Sequence, residues 1–289
     1  SDLDCMFNSD MVLYCMKSLI LHGVKPKEIV DPNIRTDFNK LAYLVRLDHG
    51  LGENFSVIKE IAEQGEIVTE IVTHFSALEM TDVGNFKSLL FYFGLLSIKG
   101  VDMMGRPILH IPNLVVREQL FNFLIQGYAR HDIFKLDVNR LRTLFENMSF
   151  KGDWKPLFEF LAEAIREQSR IREYIEGEAH IKGFLLAYLS MFRYYQLYPE
   201  YEMNKGFADF FFKPSPAAPV SPPYTYLLEV KYAKAGASEK EIRALADDAR
   251  EQLIRYSKDE CVAEAREKGG LKLATIVWRS WELVLMEEV

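Results

Sequence analysis

The chain has 289 residues and a formal net charge of −7. This length predicts two domains, and 49% hydrophobic with 27% charged residues is typical of a globular protein. The acidic balance argues against a protein that coats nucleic acid indiscriminately, because such binding needs many Lys and Arg contacts to phosphate. No apolar run is long enough to cross a membrane and no signal peptide is present. Three scattered cysteines, Cys5, Cys15 and Cys261, argue against a disulfide scaffold or a zinc site, so we expect a cytoplasmic protein.

The N-terminal 48 residues contain two segments that bear on the assignment, Phe7–Tyr14 and Asp31–Asp37. No Gly-x-x-x-x-Gly-Lys-Ser/Thr phosphate loop occurs anywhere in the chain, so we expect no ATP site in it. The chain begins at Ser1 and not at a methionine. We therefore expect a piece of a larger protein.

Residues 49–150 are predicted to be mostly helical. Helical periodicity predicts helices over residues 66–74 and 83–96, and residues 95–110 predict two short strands around a turn. Helices followed by such a hairpin resemble a winged helix. A spacer role is favoured over DNA binding, because Lys87 is the single basic residue among residues 66–98. Further helices are predicted over residues 114–128, 138–145 and 154–174.

A helix with an acidic residue near its start is predicted over residues 175–189. Its apolar stripe includes Ile181, Leu185 and Leu189, and Glu178 lies three residues before Ile181 and so on nearly the same face. Glu178 also precedes Lys182 by four residues, the spacing of an exposed helix ion pair that is worth about 0.3 kcal/mol. We expect Glu178 to face the sheet and not to pair with Lys182 in solvent.

Two apolar segments, residues 205–211 and 226–231, are predicted to be strands that carry charge. Glu229 and Lys231 point to the same face because side chains alternate along a strand. If the strands are neighbours, Asp209 joins them in an oxygen-lined pocket with an ammonium group beside it, which suits Mg²⁺. The alternative is the solvated face of a half-buried sheet, since acid-x-Lys triplets are common by chance.

The segment between these strands, residues 213–223, contains five prolines. Proline disfavours both helix and sheet, so we predict a long hairpin loop that sets the strands antiparallel. Downstream, Ser238 and Glu241 predict a capping box that opens a helix. Gln252 and Tyr256 are four residues apart on that helix and share a face.

This order of elements resembles the PD-(D/E)XK nuclease superfamily, whose fold is a restriction-endonuclease-like α/β core. The amino-acid sequence of residues 177–185, 204–209 and 228–232 is similar to that of a nuclease-type C-terminal domain, which follows an AAA-ATPase-like domain in many bacterial proteins. The segments Phe7–Tyr14 and Asp31–Asp37 resemble the tail of that ATPase-like domain. Ala208 stands where the superfamily name has proline, as in many members.

The resemblance implies an α+β chain in three parts. Residues 1–48 are a helical tail of the ATPase-like domain, and residues 49–150 are a helical, winged-helix-like spacer. Residues 151–289 are the nuclease-like domain, with a mixed central sheet flanked by helices.

The resemblance also implies a metal-dependent phosphodiesterase that acts on nucleic acid, DNA more than RNA. Asp209, Glu229 and the main-chain carbonyl of Val230 would hold Mg²⁺ or Mn²⁺, and Glu178 would complete the metal shell. Lys231 would orient the attacking water and offset charge in the transition state. Gln252 and Tyr256 would play accessory roles. We also expect a substrate-binding rim of basic residues: Lys182, Lys205, Lys234 and Arg255.

Two other functions remain open from the sequence. One is a catalytically silent module that binds nucleic acid or protein, although intact Glu178, Asp209, Glu229 and Lys231 argue against it. The other is a DNA-binding regulator that acts through the winged-helix-like region. The missing ATPase domain is an expected partner, and no membrane partner is expected.

Overall fold

The computed structural model describes residues 9–24, 26, 53–74, 79, 82–130, 133–168, 171, 177–216 and 218–289. The chain divides into two compact units, residues 1–57 with 68–119 and residues 58–67 with 120–289. Within the described residues, no helix has the length and apolar character to cross a membrane. The domain boundaries predicted at residues 48 and 150 stay predictions.

The elements before residue 131 are four helices and three short strands among the described residues. They are α1 (Ser9–His22), α2 (Glu53–Gln64), β1 (Glu66–Val68), α3 (Val83–Tyr92), β2 (Ser97–Val101), β3 (Pro107–His110) and α4 (Leu114–Arg130).

The predicted hairpin after the second helical segment is confirmed, because β2 and β3 pair antiparallel. The predicted helix over residues 66–74 is wrong. Gly65 has a left-handed φ of 76° where α2 ends, and the following run is rich in β-branched residues, which favour extended backbone. Most of the ATPase-like resemblance, including Asp31–Asp37, lies outside the described residues.

The second unit holds a mixed five-stranded sheet with helices before and between its strands. Its helices are α5 (Val138–Lys151), α6 (Lys155–Glu167), α7 (Glu178–Leu189), α8 (Glu239–Tyr256) and α9 (Ala263–Glu267), and a 3₁₀ turn covers Glu260–Val262. Its strands are β4 (Tyr195–Met203), β5 (Gly206–Pro214), β6 (Thr225–Ala233), β7 (Leu271–Arg279) and β8 (Glu282–Glu288).

The strand order is β4-β5-β6-β7-β8. All neighbours are antiparallel except β6 and β7, which are parallel. Parallel neighbours need a long crossover, and α8 with the short helical turns after it supplies one. This mixed sheet confirms the predicted restriction-endonuclease-like α/β core.

Helix α8 packs on β5, β6 and β7 and covers one face of the sheet there. Its start is fixed by the predicted capping box, in which Ser238 accepts from the Glu241 N–H and the Glu241 side chain accepts from the Ser238 N–H. Ile242 and Ala246 pack against Ala233 and Val277 at one end of the interface. A second apolar cluster lies at the other end: Met203, Ala208, Phe211, Leu227, Leu253, Tyr256 and Val262.

The predicted loop is shorter than residues 213–223. Lys213 and Pro214 belong to β5, where they pair with Gln196 and Tyr195 of β4. Pro214 is tolerated there because it is the last residue of its strand. The connection begins at Ser215, which is buried and donates its N–H to the Tyr194 carbonyl.

Candidate active site

The candidate site lies where β5 and β6 separate. Their register pairs Phe212 with Tyr226, Phe211 with Leu227 and Phe210 with Leu228, and it ends there. Asp209 and Glu229 are the next residue on each strand. The site therefore begins at the point where main-chain pairing between the two strands stops.

Side chains take over the hydrogen bonds that the sheet no longer makes at this point. The Asp209 N–H donates to Glu229 Oε1 at 3.2 Å, and the Val230 N–H donates to Asp209 Oδ2 at 2.8 Å. Asp209 is 5% exposed and Glu229 is 1% exposed. Two nearly buried carboxylates are thus fixed beside each other by the backbone of the opposite strand.

This crowding changes the protonation of Glu229. Burial and, after it, the neighbouring Asp209 carboxylate raise the pKa of Glu229 to about 8, against the opposing attraction of Lys231. The nearby Lys231 ammonium group therefore offsets the burial and crowding of Glu229 only in part. A cation bound beside Glu229 would favour its ionised form, because an opposite charge lowers the pKa of a carboxyl group.

Lys231 extends from β6 to α8 and is held there by polar partners. Its Nζ lies 3.3 Å from Glu229 Oε2 and donates to Gln252 Oε1 at 2.7 Å. Asp248 Oδ2 lies 3.7 Å from the same Nζ and accepts from Gln252 Nε2 at 3.1 Å. The ammonium group is thereby fixed between the carboxylate of β6 and the polar face of α8.

A second lysine enters the site from α7. Lys182 Nζ donates to Asp209 Oδ1 at 2.5 Å and pairs with Glu178 Oε1 at 2.7 Å and Glu200 Oε1 at 3.4 Å. Burial by itself lowers the pKa of Lys182, but the Asp209 and Glu178 carboxylates outweigh burial and leave that pKa raised. Lys182 is therefore a charged member of the site and not part of an exposed rim.

The sequence predicted two things of Glu178, that it faces the sheet and that it does not pair with Lys182. The expectation that it avoids Lys182 is wrong, because their ion pair forms within one turn of α7. The pair does not hold Glu178 away from the sheet, however, since the same ammonium group also contacts Asp209. Glu178 thus reaches the site through Lys182.

The remaining predicted residues lie apart from the charged cluster. The Tyr256 ring is buried in the apolar cluster, so it packs α8 against β5. A Cβ atom at Gly206 would come within 2.4 Å of the Tyr256 hydroxyl, which explains a residue without a side chain there. Lys205, Lys234 and Arg255 are exposed, and the Arg255 guanidinium stacks 5.2 Å from the centre of the Tyr256 ring.

Sequence reasoning missed Glu200 and Asp248. A signal for Asp248 exists, because it lies four residues before Gln252 and so shares its face of α8. Glu200 has no such signal. It lies in β4 between two paired residues, Pro199 and Tyr201, and has a left-handed φ of 46° that breaks the strand alternation.

Residues 176–288 match the family model of the PD-(D/E)XK nuclease superfamily. By this match, residues 176–288 are similar to a PD-(D/E)XK nuclease superfamily domain. The match covers every charged residue of the site, from Glu178 on α7 to Asp248 on α8. No curated protein matches the chain. Nucleases of this superfamily act on nucleic acid and generally use divalent ions such as Mg²⁺ or Mn²⁺.

The donor set of residues 176–288 fits such an ion. Asp209 and Glu229 offer hard carboxylate oxygens next to each other, and Mg²⁺ is usually bound by one or two carboxylates while it keeps several waters. Among the described residues, no group of three His, Cys, Asp or Glu side chains is arranged to enclose a metal. An ion here would accordingly depend on these two carboxylates, main-chain oxygen and water.

Proposed function

We propose that the nuclease domain hydrolyses phosphodiester bonds with the help of a divalent ion, Mg²⁺ or Mn²⁺. The observation that carries this proposal is the pair of buried carboxylates, Asp209 and Glu229, fixed side by side where β5 and β6 separate. Burying two adjacent carboxylates is costly, and Lys182 and Lys231 offset that cost only in part, because the pKa of Glu229 stays raised. Function explains the arrangement better than stability does.

Asp209, Glu229 and the main-chain carbonyl of Val230 would hold the ion. When bound, the ion polarises the scissile phosphate and lowers the pKa of a bound water. Lys231 contributes a fixed positive charge next to Glu229, where it orients the water and offsets charge that develops on the phosphate. Gln252 acts through Lys231, since it accepts a hydrogen bond from that ammonium group and is tied to Asp248.

The substrate is proposed to be DNA in preference to RNA, with Lys205, Lys234 and Arg255 available at the exposed surface for phosphate contacts. The chain as a whole is acidic, so we expect binding through this local rim and the ion. We also propose that an ATPase-like domain precedes the nuclease domain in the complete protein.

The test is an incubation of the purified chain with supercoiled plasmid, linear duplex, single-stranded DNA and RNA. Each substrate is tested with Mg²⁺, with Mn²⁺ and with a chelator, beside the Asp209→Ala variant. We expect metal-dependent cleavage of at least one DNA substrate by the natural chain and none by the variant.

Two outcomes contradict the proposal. Cleavage that persists undiminished in Asp209→Ala would place the chemistry elsewhere. Nucleic-acid binding without cleavage under any metal condition would favour a silent interaction module. The thermal midpoint in millimolar Mn²⁺ separates these cases from a damaged preparation, because an ion that binds the native state must raise it.

A further inference from the structure

Thr275 is a buried polar residue of β7 that has no part in the mechanism proposed above. It is 1% exposed, and its hydroxyl oxygen has no hydrogen-bond partner within the part of the chain that the structure describes. A buried hydroxyl group without a partner costs free energy, and a valine, which has the same shape, would avoid that cost. Stability alone therefore does not explain a hydroxyl group at this position.

The sheet register places Thr275 beside Glu229. The two residues are partners in the parallel pair of β6 and β7, and adjacent strands lie about 4.8 Å apart. Leu273 and Val277, two residues before and two residues after Thr275, pack in the apolar clusters under α8. Because side chains alternate along a strand, Thr275 faces α8 between them, on the same side of the sheet as Glu229.

The part of α8 above this position is apolar. Ala249 is fully buried and lies on the inward stripe of α8 between Ala246 and Leu253, which belong to the two apolar clusters. A methyl group neither donates nor accepts a hydrogen bond, so Ala249 cannot satisfy the hydroxyl group of Thr275. The polar side chain next to Thr275 in the register is that of Glu229.

We propose that Thr275 is a positioning residue of the candidate active site, whose hydroxyl group donates a hydrogen bond to the Glu229 carboxylate when that carboxylate holds the divalent ion. The inference rests on the proposed function and adds to it a residue of β7. Glu229 has capacity for this bond. Its oxygens are contacted by the Asp209 N–H and by Lys231 Nζ, whereas a carboxylate has about four sites that accept hydrogen bonds.

This role predicts two different effects of Thr275→Val, which removes the hydroxyl group and keeps the shape. In chelator, the thermal midpoint should stay the same or rise, because a buried hydroxyl group without a partner is lost. The affinity for Mn²⁺ should fall by about tenfold or more, since groups that orient a metal ligand contribute about 10- to 100-fold to metal affinity. A threonine that only fills space would leave the affinity unchanged.

The experiment measures Mn²⁺ affinity by isothermal titration and thermal midpoints in chelator and in Mn²⁺. It compares the natural chain with Thr275→Val, with Thr275→Ser and with a control, Thr225→Val. Thr225 is a buried threonine of β6 that pairs with Leu271, four residues before Glu229. We expect the natural chain, Thr275→Ser and the control to bind Mn²⁺ alike, and Thr275→Val to bind it more weakly and to gain less stability from it.

A second pair of variants repeats the comparison if Thr275→Val does not fold. Thr275→Ser and Thr275→Ala both lack the branched methyl group and differ by the hydroxyl group alone. The serine variant should bind Mn²⁺ about tenfold more tightly than the alanine variant, by the same reasoning.

Three outcomes would overturn the inference. The first is equal Mn²⁺ affinity of the natural chain and Thr275→Val. The second is weaker binding that Thr275→Ser shares with Thr275→Val, since packing would then explain the loss. The third is a lower midpoint of Thr275→Val in chelator, which would show that the hydroxyl group stabilises the fold without the ion.

In all three cases, metal-dependent cleavage by the natural chain would leave the proposed function standing. A natural chain that binds no Mn²⁺ and cleaves no nucleic acid would overturn both the inference and the proposed function.

Discussion

The face of β6 that lies under α8 has an apolar residue at each end and charges between them. Leu227, Glu229, Lys231 and Ala233 alternate onto this face. Leu227 joins the apolar cluster with Leu253, and Ala233 joins the one with Ile242. Between them, Glu229 and Lys231 meet the polar side of α8.

The apolar ends of this interface stabilise the fold, whereas its charged centre serves the proposed function. The two apolar clusters bury side chains that gain free energy when they leave water. The charged centre instead buries carboxylates that cost free energy, and it tolerates them because α8 is held on both sides. Substitutions in the two regions should therefore have opposite signatures, loss of activity with a stable fold in the centre and loss of stability at the ends.

The largest expected effect is on catalysis in the charged centre. Asp209→Ala, Glu229→Ala and Lys231→Ala should each lower cleavage more than about 100-fold, since even a partner of a metal ligand is often worth that much. The fold should remain intact in Asp209→Ala and Glu229→Ala, because each removes one of two adjacent buried carboxylates, whereas Lys231→Ala leaves Glu229 without its ion-pair partner and should lower stability. Cleavage rates and circular dichroism are measured on the same preparations.

Asp247→Ala is the matched control for Asp209→Ala. Asp247 is an exposed residue of α8 that pairs with Arg243, so its loss should leave cleavage within about twofold, in line with the small worth of an exposed ion pair. A loss of cleavage in this control equal to that in Asp209→Ala would show that general damage, and not the site, explains the result.

Glu229→Gln should stabilise the metal-free protein as the pH rises. The folded state keeps the Glu229 proton up to about pH 8, whereas the unfolded chain releases it near 4.5. Stability that depends on this proton is complete below pH 4.5 and is lost as the pH rises through the folded pKa. Glutamine cannot ionise, so the variant avoids the loss, which amounts to a few kcal/mol at about 1.4 kcal/mol per pKa unit.

The measurement is the thermal midpoint of both proteins from pH 4.5 to 8.5 in chelator. Glu251→Gln, a change at an exposed residue of α8, serves as the control and should follow the natural chain. Parallel curves for the natural chain and Glu229→Gln would mean that the Glu229 carboxylate is accommodated without strain. Added Mg²⁺ should narrow the gap, because it binds the charged carboxylate.

Leu253→Ala tests the apolar end of the same interface. Leu253 is fully buried against Leu227 and Phe211, and truncation of such a side chain costs about 2–5 kcal/mol. Urea unfolding should show this loss, while cleavage per folded molecule stays near that of the natural chain. A large drop in cleavage at full folding would mean that the cluster controls the site geometry.

Sequence patterns were sufficient for the regular parts of this interface. Period-two alternation placed Glu229 and Lys231 on one face, and the proline-rich connection placed Asp209 beside them in an antiparallel pair. The capping box fixed the start of α8 and with it the turn on which Gln252 lies. These features depend on residues close together in the chain.

The features that the sequence did not predict depend on irregular backbone or on competition between partners. Glu200 reaches Lys182 only because β4 is irregular at that residue. Lys182 was expected at a rim as one of several basic residues, and its i, i+4 spacing to Glu178 gives no sign of the contact with Asp209. Tyr256 lies one helical turn after Gln252, yet Tyr256 is buried in the apolar cluster while Gln252 binds Lys231 at the site.

Gln252→Ala should give a smaller effect than loss of a charged site residue. Gln252 holds Lys231 by one hydrogen bond of 2.7 Å, and residues that act through a partner contribute about 10-fold to activity. We expect kcat to fall with little change in KM, since the substrate is not contacted. Glu251→Ala is the neighbouring control, and an equal fall in both variants would remove the role assigned to Gln252.

The smallest effect is expected from the connection between β5 and β6. Ser215 is anchored to Tyr194, Pro222 is buried and the Pro223 carbonyl lies against Gly270, so the segment to replace is residues 216–221. A linker of about four residues, a common length for such connections, should change stability by less than about 1 kcal/mol, since exposed loops tolerate alteration. Urea unfolding of the natural and shortened chains measures the difference. A loss of unfolding free energy as large as that of Leu253→Ala would show that this segment packs on the core. The connection would then contribute to stability as the apolar ends of the interface do.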